Sequence, residues 1–156
     1  MSTIQHFSKH IHTVHFGGNW TCVNLKDTLE DVYLKEATTK VGDCNTIAVL
    51  VFHINYFVEA ILEVLQNRPL VAHDKYSFDH PPLNSEADWE AMKQNSYTKA
   101  QLFSDLVKEL PEEKLWENFW DKKYGNYYSN IQGIIEHTHY HLGQISIIKK
   151  MLRSES

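Results

Sequence analysis

The chain has 156 residues, 42% of them hydrophobic and 22% charged, the balance of one globular domain over residues 1–156 rather than of a disordered, collagen-like or coiled-coil chain. Fifteen Lys and Arg against 20 Asp and Glu leave a formal charge of −5, which argues against a nucleic-acid partner because phosphate is met by a basic face. Cys22 and Cys44 are the only cysteines, too few for a disulfide scaffold and suited to a reducing cytoplasm.

In chain order, the N-terminal stretch MSTIQHFSKHIHTVHF lacks the apolar core of a secretory leader, so a cytoplasmic location is expected. Instead Ile4, Phe7, Ile11 and Val14 recur at helical spacing until Gly17 and Gly18 stop the run. A short helix follows from Asn24 as N-cap, with Leu25, Leu29 and Val32 on one face. Asp43 or Asn45 caps the next long helix, which carries Ile47, Leu50, Ile54, Phe57, Ile61 and Leu65 and ends before Pro69. Its longest clean apolar run is Ile47 to Phe52, short of the roughly 18 residues that mark a membrane span, so no membrane partner is expected. Ser85 and Asp88 form a capping box with Asp in place of Glu. That box opens a helix with Trp89, Met92, Phe103, Leu106 and Leu110 toward the core, stopped at Pro111. Ser129 or Asn130 starts the last helix, through Ile131, Ile134, Thr138, Leu142, Ile145, Ile148 and Leu152.

Four long helices without an alternating strand pattern predict an all-α four-helix bundle. The stretch from Arg68 to Ser85, with Pro69, Pro81 and Pro82, far exceeds the usual 2–8-residue connection of a bundle. Extended, it reaches about 55–60 Å, against about 35 Å for a 23-residue helix. A long crossover connection between helices 2 and 3 is therefore predicted, leaving those two helices parallel.

Ten histidines are the unusual part of the composition, since imidazole is the commonest metal ligand. His137 and His141 stand four apart on the last helix. They differ by only about 40° around the axis, so both rings leave one face a turn apart. This spacing recurs in helical zinc sites, but the residues between them, Thr-His-Tyr, lack the Glu of a zincin protease. His139 points about 200° away and cannot join them. The candidate third ligand is His53, the one histidine within IAVLVFHINYFVEAIL, where an imidazole needs a partner for its nitrogens. Spacing alone leaves an alternative open, in which His53 is a hydrogen-bonded core residue and the pair is solvated. His6, His10, His12 and His15 are expected to face solvent around the first helix, and His73 and His80 to lie on the surface of the Pro-rich connection.

With these residues in place, the chain resembles the DinB-like superfamily of metalloenzymes. The resemblance rests on HTHYHLGQI (His137 to Ile145), LVFHINYFVEAIL around His53 and FGGNW (Phe16 to Trp20) after the first helix, and it extends over essentially the whole chain. It implies a four-helix bundle in which His53, His137 and His141 bind a divalent ion, zinc or nickel, with water completing the shell. It further implies a homodimer and a small-molecule substrate, with a low-molecular-weight thiol as possible co-substrate. The function expected is a metal-dependent hydrolase or thiol-dependent S-transferase, in which the ion activates a thiol or water. The alternative is a non-catalytic metal-binding or stress-response protein.

Gln144, three residues after His141, lies on the ligand face as the candidate catalytic side chain. It is placed to hydrogen-bond a ligand, the bound water or a substrate, or else to cap the bundle. Tyr56 and Tyr140 either line the pocket or pack in the core. Gly143 is a candidate for close approach of a neighbouring segment. Trp20, Trp89, Trp116 and Trp120 read as core or interface residues. The aromatic-rich stretch KLWENFWDKKYGNYYSN reads as a pocket lip or a dimer surface.

Overall fold

The computed structural model describes residues 1–154. Its regular structure consists of helices α1 (Thr3–Phe16), α2 (Leu25–Leu29), α3 (Leu34–Thr38), α4 (Ile47–Leu65), α5 (Glu86–Lys108) and α6 (Tyr127–Ser154), with three short 3-10 turns. Among the described residues the only β-type pairing is an isolated bridge between Asn118 and Asn126. The chain is all-helical, as its apolar periodicity predicts.

Local chemistry sets most helix ends. Ser2 and Gln5 form a reciprocal capping box on α1, and Gly17 closes that helix with φ 105, a conformation a side chain resists. Asn24 caps α2, its Oδ1 accepting from the Asp27 N–H at 2.9 Å. Ser85 and Asp88 form the expected box on α5. Two starts differ from expectation. Thr46, not Asp43 or Asn45, caps α4 by accepting from the Val49 N–H, because the fully buried Ile47 and Ala48 set the first turn one residue later. Helix α6 begins at Tyr127 rather than Ser129 or Asn130. There Asn126 Oδ1 accepts from the Ser129 N–H at 2.9 Å, which brings Tyr127 into the core.

Side-chain contacts fix the helix directions. Ser8 meets Ser104 while Phe16 meets Tyr97, so α1 and α5 are antiparallel. Glu59 accepts from Asn95, whereas Phe52 and Asn55 share a depression with Asp88 and Met92, so α4 and α5 run parallel, as the length of the connection allows. The connection doubles back along α4: Tyr56 bonds to the His73 backbone, His53 to Ser77, and His80 packs on Phe52. Helices α4 and α6 are antiparallel, with Val58 and Ile61 beside Ile131 and Ile134, and Leu50 and Ile54 beside Leu142 and Ile145.

The core divides into two apolar clusters along these helices, one around Phe7, Ile61, Phe103 and Ile131, the other around Leu25, Leu50, Trp89 and Ile145. Trp89 is fully buried, and its Nε1–H donates to the Val32 carbonyl at 2.7 Å, so the indole carries no unmet polar group. Trp20, Trp116 and Trp120 are exposed and therefore stand outside the core. As a whole, α4 is long and apolar enough to cross a membrane by length and composition, and 67% of that window is buried inside the chain. Packing against α5 and α6 accounts for its apolar character. Histidine 53 sits on α4 between the residues that feed the two clusters, and His137 and His141 hold the corresponding place on α6.

Candidate metal centre

Antiparallel packing of α4 on α6 carries His53 to the i, i+4 pair. His53 Nε2 lies 3.0 Å from His137 Nε2, and one ligand nitrogen from each of His53, His137 and His141 lies within 4.8 Å of the others. Bonds of 2.0–2.1 Å to a tetrahedral zinc ion separate two nitrogens by about 3.3 Å. The observed spacings bracket that value, so the donor set fits a divalent ion. His53 and His141 are buried and His137 is half-buried.

Hydrogen bonds behind the rings orient two of the three imidazoles. Ser77 Oγ donates to the Asp74 carbonyl at 2.6 Å, so it accepts from His53 Nδ1–H at 2.9 Å and leaves Nε2 bare toward the cluster. Gln144 Oε1 accepts from His141 Nδ1–H at 2.6 Å, with the same consequence for His141. The Gln144 amide also donates to the Tyr140 hydroxyl at 3.3 Å. Gln144 thus acts on a ligand ring from behind, the first of the roles its spacing allowed. His137 Nδ1 is buried with no hydrogen-bond partner among the described residues.

All three rings are held toward the neutral form that binds metal. Burial above all, with the neighbouring His141 and His53 adding to it and Asp74 opposing, lowers the pKa of His137 to about 4. Burial also lowers His53, helped by His141 and opposed by Ser77 and Asp74. It lowers His141 too, against the Gln144 hydrogen bond. Phe78 stacks on His53 with centroids 3.9 Å apart and planes at 14°, and Phe57 meets both His53 and His137 edge-on.

The triad opens on a cavity of about 700 Å³, bounded by α4, α6 and the two long connections. Tyr140 lines it, the first of the two places its position allowed, with Phe119 and Tyr124 from the aromatic-rich stretch on its wall, so that stretch does form a pocket lip. Tyr56 lies outside this cavity and pins the connection instead. A Cβ at Gly143 would meet nothing within 4 Å, so no segment approaches closely there. His139 faces away from the triad toward His10. His6, His10 and His12 are exposed, but His15 is only 2% exposed. It shares the helix face of Ser8 and Ile11, and its Nδ1–H donates to the Ile11 carbonyl at 2.7 Å. Asp74, Ser77 and Phe78 come to the site from the connection, where no periodic signal marks which residues fold back. Cys22 and Cys44 are exposed free thiols. No family model matches the chain, and no curated protein or solved structure matches it either.

Proposed function

We propose that the protein is a metal-dependent enzyme of the DinB-like kind, built on a four-helix bundle, that acts on a small substrate held beside a three-histidine metal centre. The observation that carries this reading is the convergence of His53, His137 and His141 at the wall of an open cavity. In this reading His53, His137 and His141 hold the ion. Ser77 and Gln144 keep Nδ1–H of two rings turned away from it, so that each presents a nitrogen lone pair. Bound there, a zinc or nickel ion supplies Lewis acidity that lowers the pKa of a water or thiol and so makes a nucleophile near neutral pH.

The protein's own groups do the rest. Phe57 and Phe78 shield the imidazoles from water, which strengthens the electrostatics of the site. Asp74, the one carboxylate among the residues lining the cavity, stands where it can accept a proton from an incoming nucleophile. A metal that served only to staple helices would be enclosed by ligands. Here the cavity gives a substrate access to the centre, which supports the catalytic reading over the stress-response one. A homodimer in the cytoplasm, with a low-molecular-weight thiol as co-substrate, completes the proposal. Metal analysis of the native chain beside His137→Ala, followed by thiol-transfer and hydrolysis screens on the loaded protein, tests it. Turnover that needs both the ion and His137 is expected, and size-exclusion chromatography checks the dimer.

A further inference from the structure

The wall of the cavity constrains what can enter. Phe57, Ile61, Leu70, Phe78, Phe119 and Ile134 give it large apolar surfaces, and no Lys or Arg is among its lining residues. Away from the three histidines, a carboxylate, sulfonate or phosphate on the body of the substrate would find Asp74 and no Lys or Arg to pair with. The shape is as telling as the chemistry. On α6 the lining runs from Ser129 to His141, about 18 Å along the axis at 1.5 Å per residue. Gly133 sits a third of the way along that path, one turn before His137 and on the same face. It is in a helix interior, where glycine is an unfavourable choice, yet a Cβ built on it meets nothing within 4 Å. The floor of the cavity is therefore kept open by a missing side chain rather than by packing.

We propose that the cavity takes an elongated ligand whose polar head lies at the three histidines and whose uncharged, apolar chain runs over Gly133 toward Ser129 and Asn130. The inference rests on the metal reading for the head and on the cavity alone for the chain. It makes Gly133 the residue that sets the length of ligand accepted.

The test is calorimetric titration of the zinc-loaded protein with three hydroxamic acids that share a metal-binding head. One is acetohydroxamic acid, one carries a linear octanoyl chain, and one has a chain of equal length ending in a carboxylate. The octanoyl compound should bind at least about 30-fold more tightly than acetohydroxamic acid, since each buried methylene adds favourable transfer energy. The carboxylate-ended compound should gain little. Gly133→Leu, and independently Ala72→Phe from the opposite wall, should remove the octanoyl advantage while leaving zinc content and acetohydroxamate binding unchanged. Equal affinities for all three compounds, tighter binding of the carboxylate-ended one, or an octanoyl advantage that survives both variants would overturn the proposal. If zinc is not retained, the metal reading fails by itself. The chain part is then decided on zinc-free protein by displacement of Nile red with octan-1-ol: displacement in the wild type and its loss in Gly133→Leu support it, and no binding of the dye overturns it.

Discussion

The Nε2 atoms of His53 and His137 lie 3.0 Å apart, although His53 has already committed its Nδ1–H to Ser77. In the absence of an ion the one proton between the two Nε2 atoms must therefore come from His137, whose Nδ1 is then bare, buried and unpartnered. Leaving a buried polar atom unmatched costs on the order of 1–3 kcal/mol. A cation shared by the two Nε2 atoms would replace that proton and leave His137 protonated at Nδ1, still without a partner among the described residues, so this cost is common to both states.

Gln144 positions His141 without facing the cavity. Gln144→Ala should weaken zinc binding about 10- to 100-fold, the usual effect of removing an orienting partner, with little change in thermal stability of the metal-free chain. Competition against a chromophoric chelator measures it, and Gln144→Glu, which keeps an acceptor in place, should restore most of the affinity. An unchanged affinity in Gln144→Ala would show that the hydrogen bond to His141 does not hold the ring for metal.

His15 gives the chain an acid sensitivity remote from the metal centre. Burial lowers its pKa from 6.5 to about 4, with the Ile11 hydrogen bond opposing and the neighbouring His12 and His139 adding to the shift. The unfolded chain therefore takes up a proton first as pH falls. This contribution is intact above pH 6.5 and is lost progressively down to about pH 4. At pH 5 the loss should be about 2 kcal/mol. His15→Leu should flatten the curve by that amount when denaturant midpoints of both proteins are compared at pH 5 and 7 in the presence of a chelator. Parallel curves would refute the assignment.

Gly143 and Gly133 separate two reasons for a glycine in one helix. Gly143 is exposed, lies outside the cavity lining, and has open space at its Cβ. Gly143→Ala should stabilise the chain by about 0.5–1 kcal/mol through helix propensity alone, without altering metal content. A thermal melt of the variant decides the sign, and destabilisation would mean that the position meets something not seen in the isolated chain.

Much of this organisation is legible in the sequence, for physical reasons that also mark where legibility stops. Apolar spacing along Ile47–Leu65 and the i, i+4 pair His137 and His141 are local patterns. His53 stands out because a polar group in so apolar a helix needs a partner. The length of the 66–85 connection shows that it can cross the molecule, the reach that parallel α4 and α5 need. What it does on the way is not local: nothing in its prolines marks Ser77 and Phe78 as the residues that meet His53, or Asp74 as the carboxylate of the cavity. The burial of His15 was readable from its phase with Ser8 and Ile11, but four histidines on one helix suggest a solvated face. Helix α3 escapes notice because, unlike the equally short α2 with its Asn24 cap, it has no side-chain cap to mark its start.

Joint binding of one metal ion by His53, His137 and His141 is the premise of the proposed function. Elemental analysis by mass spectrometry, on protein purified without a nickel column and beside His137→Ala, tests it most directly. The expected result is about one zinc or nickel ion per chain in the native protein, lost in the variant while its helical content is retained. Native protein that carries no metal and takes up none on addition of zinc, or a variant that keeps its ion in full, would contradict it.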